Sequence, residues 1–284
     1  MEFSPAERET SPSLLIVDSF ALLFRGFFAT ASTGNYMRNA SGICTNGLFQ
    51  FTRYLLDAVR TFNPTHVVCA FDMGSKTFRN ELYPEYKSHR AAPPDELVPQ
   101  FSYLWDLVKA FDIPCIGLDN FEADDVIGSF ARRHASQQMK VRVLTGDGDT
   151  LQLVDEHTEV ILMKKGLGNY LTIGLHNLEE EKGIEHPHQI VEMKALMGDA
   201  SDNIPGCPQV GPKTALKLIR EFGTVDELYA RIEEVKGKLK ERLLEHKDLI
   251  YLSRDLATIR TDLHIQCELE QCSYRLEREK VAAR

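Results

Sequence analysis

The feature that most constrains this chain is a series of short apolar runs: Leu14–Val17, Val67–Phe71, Cys115–Leu118, Val141–Leu144 and Val160–Met163. They are rich in β-branched and other apolar side chains and too short for helices, so they read as buried strands. Between them, Gly47–Phe62, Glu96–Phe111 and Glu122–Gln137 carry apolar residues at helical spacing. Strands alternating with helices predict an α/β domain, a mostly parallel central sheet with flanking helices. In such sheets ligands gather beyond the carboxyl ends of the strands.

From about His188 the pattern changes. No strand is evident, and His188–Met197, Pro212–Phe222, Val225–Ile232 and Leu239–Leu249 read as short helices, with the Pro and Gly of Asn203–Gly211 marking a tight connection. The expected organisation is an α/β domain over 13–187, a small all-helical domain over 188–265, and terminal tails at 1–12 and 266–284. The last of these is charged and weakly periodic, a terminal helix or a frayed end.

The chain has 33 basic against 42 acidic residues, a formal charge of −9, which globally argues against nucleic acid as a partner. Cys44, Cys69, Cys115, Cys207, Cys267 and Cys272 form no C-x-x-C pair, which predicts reduced thiols and a cytoplasmic protein. Asp18 and Arg25 interrupt the apolar stretch Leu14–Phe28, so neither a membrane span nor a secretion signal is expected.

The acids are the chemistry-bearing residues. Asp18 closes the first strand, Asp72 follows the second, and Asp147 and Asp149 follow the fourth in Thr145-Gly-Asp-Gly-Asp149. Glu122, Asp124 and Asp125 open a helix that begins just after another strand, and so belong to the same rim. Asp199 and Asp202, spaced i, i+3, share a face if their segment is helical. Singly, each is a turn residue or a helix-start acid. Together they repel unless protons or cations offset them. With oxygen donors and no matching His or Cys, a hard divalent ion, Mg2+ or Mn2+, is favoured over zinc. Two such ions roughly 4 Å apart suit phosphodiester hydrolysis.

Two further segments suit phosphates. In Lys76–Arg90, Lys76, Arg79, Lys87 and Arg90 are interleaved with Phe78, Tyr83 and Tyr86, a pattern suited to a single strand, or to a solvated loop. In Ile204–Ile219, a Gly/Pro-rich hairpin leads into a helix with Pro212 near its first position. Its backbone N–H groups, with Lys213 and Lys217, suit a phosphate; the alternative is a plain connector.

Taken together, LLIVD ending at Asp18, FD at Asp72, YPEYKSHR, FEADD, TGDGD, MGDASDNIPG and VGPKTALKLI resemble the bacterial and phage 5′-nuclease (flap endonuclease) family. That family includes the 5′→3′ exonuclease domain of DNA polymerase I, and the resemblance covers about residues 13–265. It implies a PIN-like nuclease fold with a helix-hairpin-helix domain, and a helical arch near 76–100. It places metal ligands at Asp18, Asp72, Glu122, Asp124, Asp125, Asp147, Asp149, Asp199 and Asp202. Lys87 and Arg90 would contact the scissile phosphate, with Arg79 nearby and Tyr86 stacking. Gly206, Gly211, Lys213, Thr214 and Lys217 would hold the duplex, with a K+ at the hairpin carbonyls. Two departures stand out: Gly148 replaces the Lys usual in polymerase-linked members, and Gln209 replaces a common Gly.

The expectation is a monomeric, stand-alone nuclease with Asp18, Asp72, Asp147, Lys87 and Arg90 as catalytic residues. It would cut DNA near 5′-flap junctions with two Mg2+ and remove RNA primers and flaps. The competing readings are an inactive junction-binding protein, which should have lost metal ligands, and a PIN-like ribonuclease, which leaves the helix-hairpin-helix unexplained.

Overall fold

The structure is a computed structural model that describes residues 11–32, 34 and 36–274. Of the two expected tails, residues 1–10 and 275–284 lie outside the described residues.

A six-stranded sheet of order β3-β2-β1-β4-β5-β6 organises the first part of the chain. The strands are β1 (Ser13–Asp18), β2 (His66–Ala70), β3 (Cys115–Ile116), β4 (Lys140–Thr145), β5 (Thr158–Met163) and β6 (Tyr170–Ile173). All pair in parallel except β6, which runs antiparallel to β5. The chain builds outward from β1 to β2 and β3, then crosses to place β4 on the other side of β1. The crevice between the carboxyl ends of β1 and β4 is therefore the topological switch point, where a ligand is expected.

Both faces of the sheet are covered, which explains the unbroken apolar runs. Successive β1 side chains serve opposite cores. Leu15 and Val17 pack with α1 (Ser19–Ala31), α2 (Asn46–Phe62) and α4 (Val98–Ala110), whereas Leu14 and Ile16 pack with α5 (Ala123–His134). The sequence reading missed α1, since its residues continue the apolar text of β1, and missed β6, a short edge strand.

In the segment expected to form a helical arch, near 76–100, α3 (Phe78–Leu82) and the start of α4 at Val98 are helical; the rest is turn or irregular backbone. Residues 85–87 are stitched to the helical part instead: Lys87 N–H donates to the Asp202 carbonyl at 2.9 Å, and Asn203 donates to the Glu85 carbonyl at 2.7 Å.

After α6 (Leu178–Lys182) the helical part begins with α7 (Gln189–Met197), α8 (Pro212–Phe222) and α9 (Val225–Ala230). The single helix expected over Leu239–Leu249 is two, α10 (Gly237–Glu245) and α11 (Lys247–Ala257), meeting at His246, and both Leu243 and Ile250 enter the helical core. The hairpin between α7 and α8 is tight. Gly206, at φ +62, sits so close to Gly198 that a Cβ would lie 2.1 Å from its backbone nitrogen.

Residues 266–274, expected as a terminal helix or a frayed end, hold one short 3-10 turn, Leu269–Cys272, and are packed in place. Ile265, Cys267 and Cys272 join the core on the α5 side of the sheet, and Tyr274 N–H donates to the Thr65 carbonyl at 2.9 Å. The chain thus returns from its helical part to the sheet.

Candidate active site

The acidic rim is built from caps and strand ends. Asp18 ends β1 and caps α1, accepting from Ala21 N–H at 3.1 Å, while Thr145 at the end of β4 donates its hydroxyl to the other Asp18 oxygen at 2.7 Å. That bond spans the switch point. Asp72 accepts from Ala123 N–H at 2.8 Å, in the first turn of α5, and Asp147 accepts from Asp149 N–H at 2.9 Å. Fixed backbone donors thus hold Asp18, Asp72 and Asp147 in place before any ligand arrives.

These residues line a cavity of about 250 Å³ together with Glu122, Asp124, Lys87 and Arg90. Among the described residues, no Lys or Arg forms an ion pair with Asp18, Asp72, Asp124 or Asp147. Burial, reinforced by Asp72 and Asp147 against the hydrogen bond from Thr145, pushes the Asp18 carboxyl up to about 6. Burial and the charges of Asp18, Asp147 and Glu122 hold Asp124 well above the usual carboxylate range, and burial raises Asp72. Buried, mutually repelling, all-oxygen donors fit a hard divalent cation.

A second group is joined to them through Lys87. One oxygen each from Asp149, Asp199 and Asp202 lie within 4.8 Å of one another. Here basic partners are already present: Lys194 donates to both Asp149 and Asp199, and Arg90 to Asp202. Lys87 bridges the two groups, 2.7 Å from Glu122 and 3.6 Å from Asp202, with its backbone in the left-handed region at φ +55. Burial alone would raise Asp199, but hydrogen bonds from Lys194 and Ser201 pull it down to about 2.

Three of the expected site residues lie elsewhere in role. Asp125 is fully buried, and both its oxygens are filled: Arg79 binds it at 2.7 and 2.8 Å, with the N–H groups of Glu122 and Arg260 at 3.1 and 2.9 Å. No oxygen is left for an ion. Arg79, expected near DNA, is likewise buried, and it also donates to the carbonyls of Leu256 and Thr258, tying α3 to α5 and to the end of α11. Tyr86, expected to stack on a base, is buried with its hydroxyl 3.1 Å from Glu122.

The helical part offers a separate polar surface. Gly211 caps α8 in an extended conformation, and Gly211, Lys213 and Lys217 are exposed, with Thr214 half-buried. Gly206 does not share this surface, because it is buried and its N–H donates to Ser253 at 2.9 Å. Gln209, where a Gly is common, takes the left-handed backbone itself at φ +61, and its side chain accepts from Arg242 at 2.6 Å.

Two family models match the chain: the 5′-3′ exonuclease, N-terminal resolvase-like domain over residues 13–183, and the 5′-3′ exonuclease, C-terminal SAM fold over residues 185–280. The chain belongs to the 5′-3′ exonuclease family. A 5′-3′ exonuclease of Bacillus subtilis is 44% identical over 95% of this chain and 90% of its own length. DNA polymerase I of Bacillus caldotenax is 43% identical over 95% of this chain, which spans 30% of that longer protein. Among solved structures, the bacteriophage T5 flap endonuclease in a complex with DNA and metal ions superposes with a TM-score of 0.69, covering 88% of this chain and 89% of that one at 22% identity.

Within this exonuclease-family fold, the residues that sequence reasoning missed are Thr145 and Lys194. Thr145 carries a signal, since it opens TGDGD next to two predicted ligands. Lys194 carries little: it stands in α7 among the buried residues Val191, Ala195 and Leu196. A lone lysine there reads as a surface position.

Proposed function

We propose that this member of the 5′-3′ exonuclease family hydrolyses DNA phosphodiesters near the junction of a 5′ flap with duplex, leaving 5′-phosphate and 3′-hydroxyl ends. The observation that carries the reading is the convergence of Asp18, Asp72, Asp124 and Asp147 at the switch point without a basic partner among the described residues. Two Mg2+, or Mn2+ in their place, held by these acids with Glu122 and by Asp149, Asp199 and Asp202, would supply a water of lowered pKa and offset charge on the leaving oxygen.

The chain's own residues do the rest. Lys87 and Arg90 line the cavity, where they can leave their carboxylates for the non-bridging oxygens of the scissile phosphate and oppose the charge that builds there. Arg90 is about half exposed and so free to move. The exposed start of α8, with Lys213 and Lys217, binds the duplex backbone without reading bases. A K+ at the hairpin carbonyls belongs to the same proposal. In the cell, the activity would remove RNA primers and flaps during replication and repair.

The test uses labelled flap, nicked and single-stranded DNA with Mg2+ or with EDTA, and sizes the products. The reading expects cleavage near the flap junction with Mg2+, none with EDTA, and none from Asp147→Asn, whose DNA binding survives. Equal activity in EDTA or in the variant would overturn it.

A further inference from the structure

Lys194 and Arg79 are both buried basic residues bound to acids of the rim, but the two pairs differ in whether they can be replaced. The Arg79 fork meets Asp125 in two parallel bonds, neither side chain is more than 2% exposed, and backbone N–H groups fill the remaining positions on the carboxylate. Such a pair is permanent. Lys194 is a point charge on a flexible stem. Its ammonium binds one oxygen of Asp149 and one of Asp199, and those side chains are 24% and 15% exposed, so solvent reaches them. A hard divalent ion at this trio would compete with the ammonium for these carboxylates, and the two positive charges would repel.

We propose that Lys194 is a resident cation of the Asp149–Asp199–Asp202 trio, whose ammonium must withdraw before a divalent ion can bind there. This rests on the two-ion reading above. It makes the two halves of the rim unequal. The half around Asp18, Asp72, Asp124 and Asp147 forms no ion pair with a Lys or Arg among the described residues and takes an ion readily. The trio half is neutralised from within and fills only when Lys194 gives way. Lys194 thereby sets the ion concentration at which the second half loads.

The first experiment titrates ion-free wild-type protein and Lys194→Met with Mn2+ in the absence of DNA, counting bound ions from the electron paramagnetic resonance of free Mn2+. The weaker class of site should tighten by at least about tenfold in Lys194→Met, with the tighter class unchanged. An unchanged or weaker second class would overturn the proposal. The second experiment needs no variant: lysines of the wild-type protein are acylated with a succinimidyl ester, with and without saturating Mg2+, and read by mass spectrometry. Lys194 should be shielded in the ion-free protein and label several-fold faster with Mg2+; equal labelling would overturn the proposal. If Mn2+ binds to no class of site and cleavage ignores metal, the two-ion reading fails as well. If two ions bind and support cleavage while Lys194→Met binds no tighter, only the role of Lys194 fails.

Discussion

The two halves of the acidic rim are made of the same residue type and behave in opposite ways. Asp18 is pushed up to about 6 by burial, with no ammonium or guanidinium paired to it among the described residues, whereas Asp199 is drawn down to about 2 by Lys194 and Ser201 despite burial. Asp147 and Asp149 are two residues apart yet fall in different halves, because the 3-10 turn Gly148–Leu153 starts between them. An aspartate is thus pushed toward its protonated form or held as a satisfied ion pair according to which donors the fold brings to it.

The sharpest way to break the comparison is to remove one acid from each half. Asp18→Asn should lower single-turnover flap cleavage by about 10³-fold or more, since a ligand of the unpaired half is lost, and Asp199→Asn should lower it less. Equal losses would erase the distinction. Next in size is Asp125→Asn, which separates a rim acid that is purely structural. It should cost about 3 kcal/mol in urea unfolding by disrupting the buried pair with Arg79, while Mn2+ binding in the still-folded protein stays as it was. A variant of full stability with a lost ion would place Asp125 among the ligands after all.

Lys87 stands between the halves, and Lys87→Ala should slow cleavage by about 10²-fold with little change in DNA affinity, because its contact strengthens as charge develops. A loss of affinity at constant rate would make it a binding residue only. The smallest effect concerns protons. Asp18 holds its proton up to about pH 6, and Asp124 and Asp72 are raised beside it, so the first ion must displace at least the Asp18 proton below that value and bind more weakly there. The linkage sign is that of a raised carboxylate. The folded ion-free protein binds more protons than the unfolded chain between the ordinary aspartate value of 3.8 and about 6, so this group lowers stability as pH rises through that window. Added Mg2+ should therefore raise Tm more at pH 7.5 than at pH 5. The reverse order would contradict the raised Asp18.

Much of this was legible in the sequence. The apolar runs placed β1 to β5, and the strand-end rule gathered Asp18, Asp72, Asp147 and Asp149 on one rim of the sheet; that the rim centres on the β1–β4 switch point emerged only with the strand order. Helix geometry could have said more about FEADD. Adjacent helical residues point about 100° apart, so Asp124 and Asp125 do not face the same side, and Asp125 turns inward to Arg79. What the text could not show was burial. Basic and aromatic residues interleaved over Lys76–Arg90 look the same whether they meet a nucleic acid or, as Arg79 and Tyr86 do, the protein's own carboxylates. Lys194 was invisible for the same reason, since its importance lies in partners 45 and 5 residues away. The return of residues 266–274 to the sheet depends on contacts such as Tyr274 with Thr65 that no local pattern encodes.

The central claim is that one rim holds two unequal sites. It is tested most directly by titrating Mn2+ into the ion-free wild-type protein while following flap-DNA cleavage at each point. The account predicts two classes of site, with cleavage rising as the weaker class fills. A single class, or full cleavage once the first ion is bound, would contradict it.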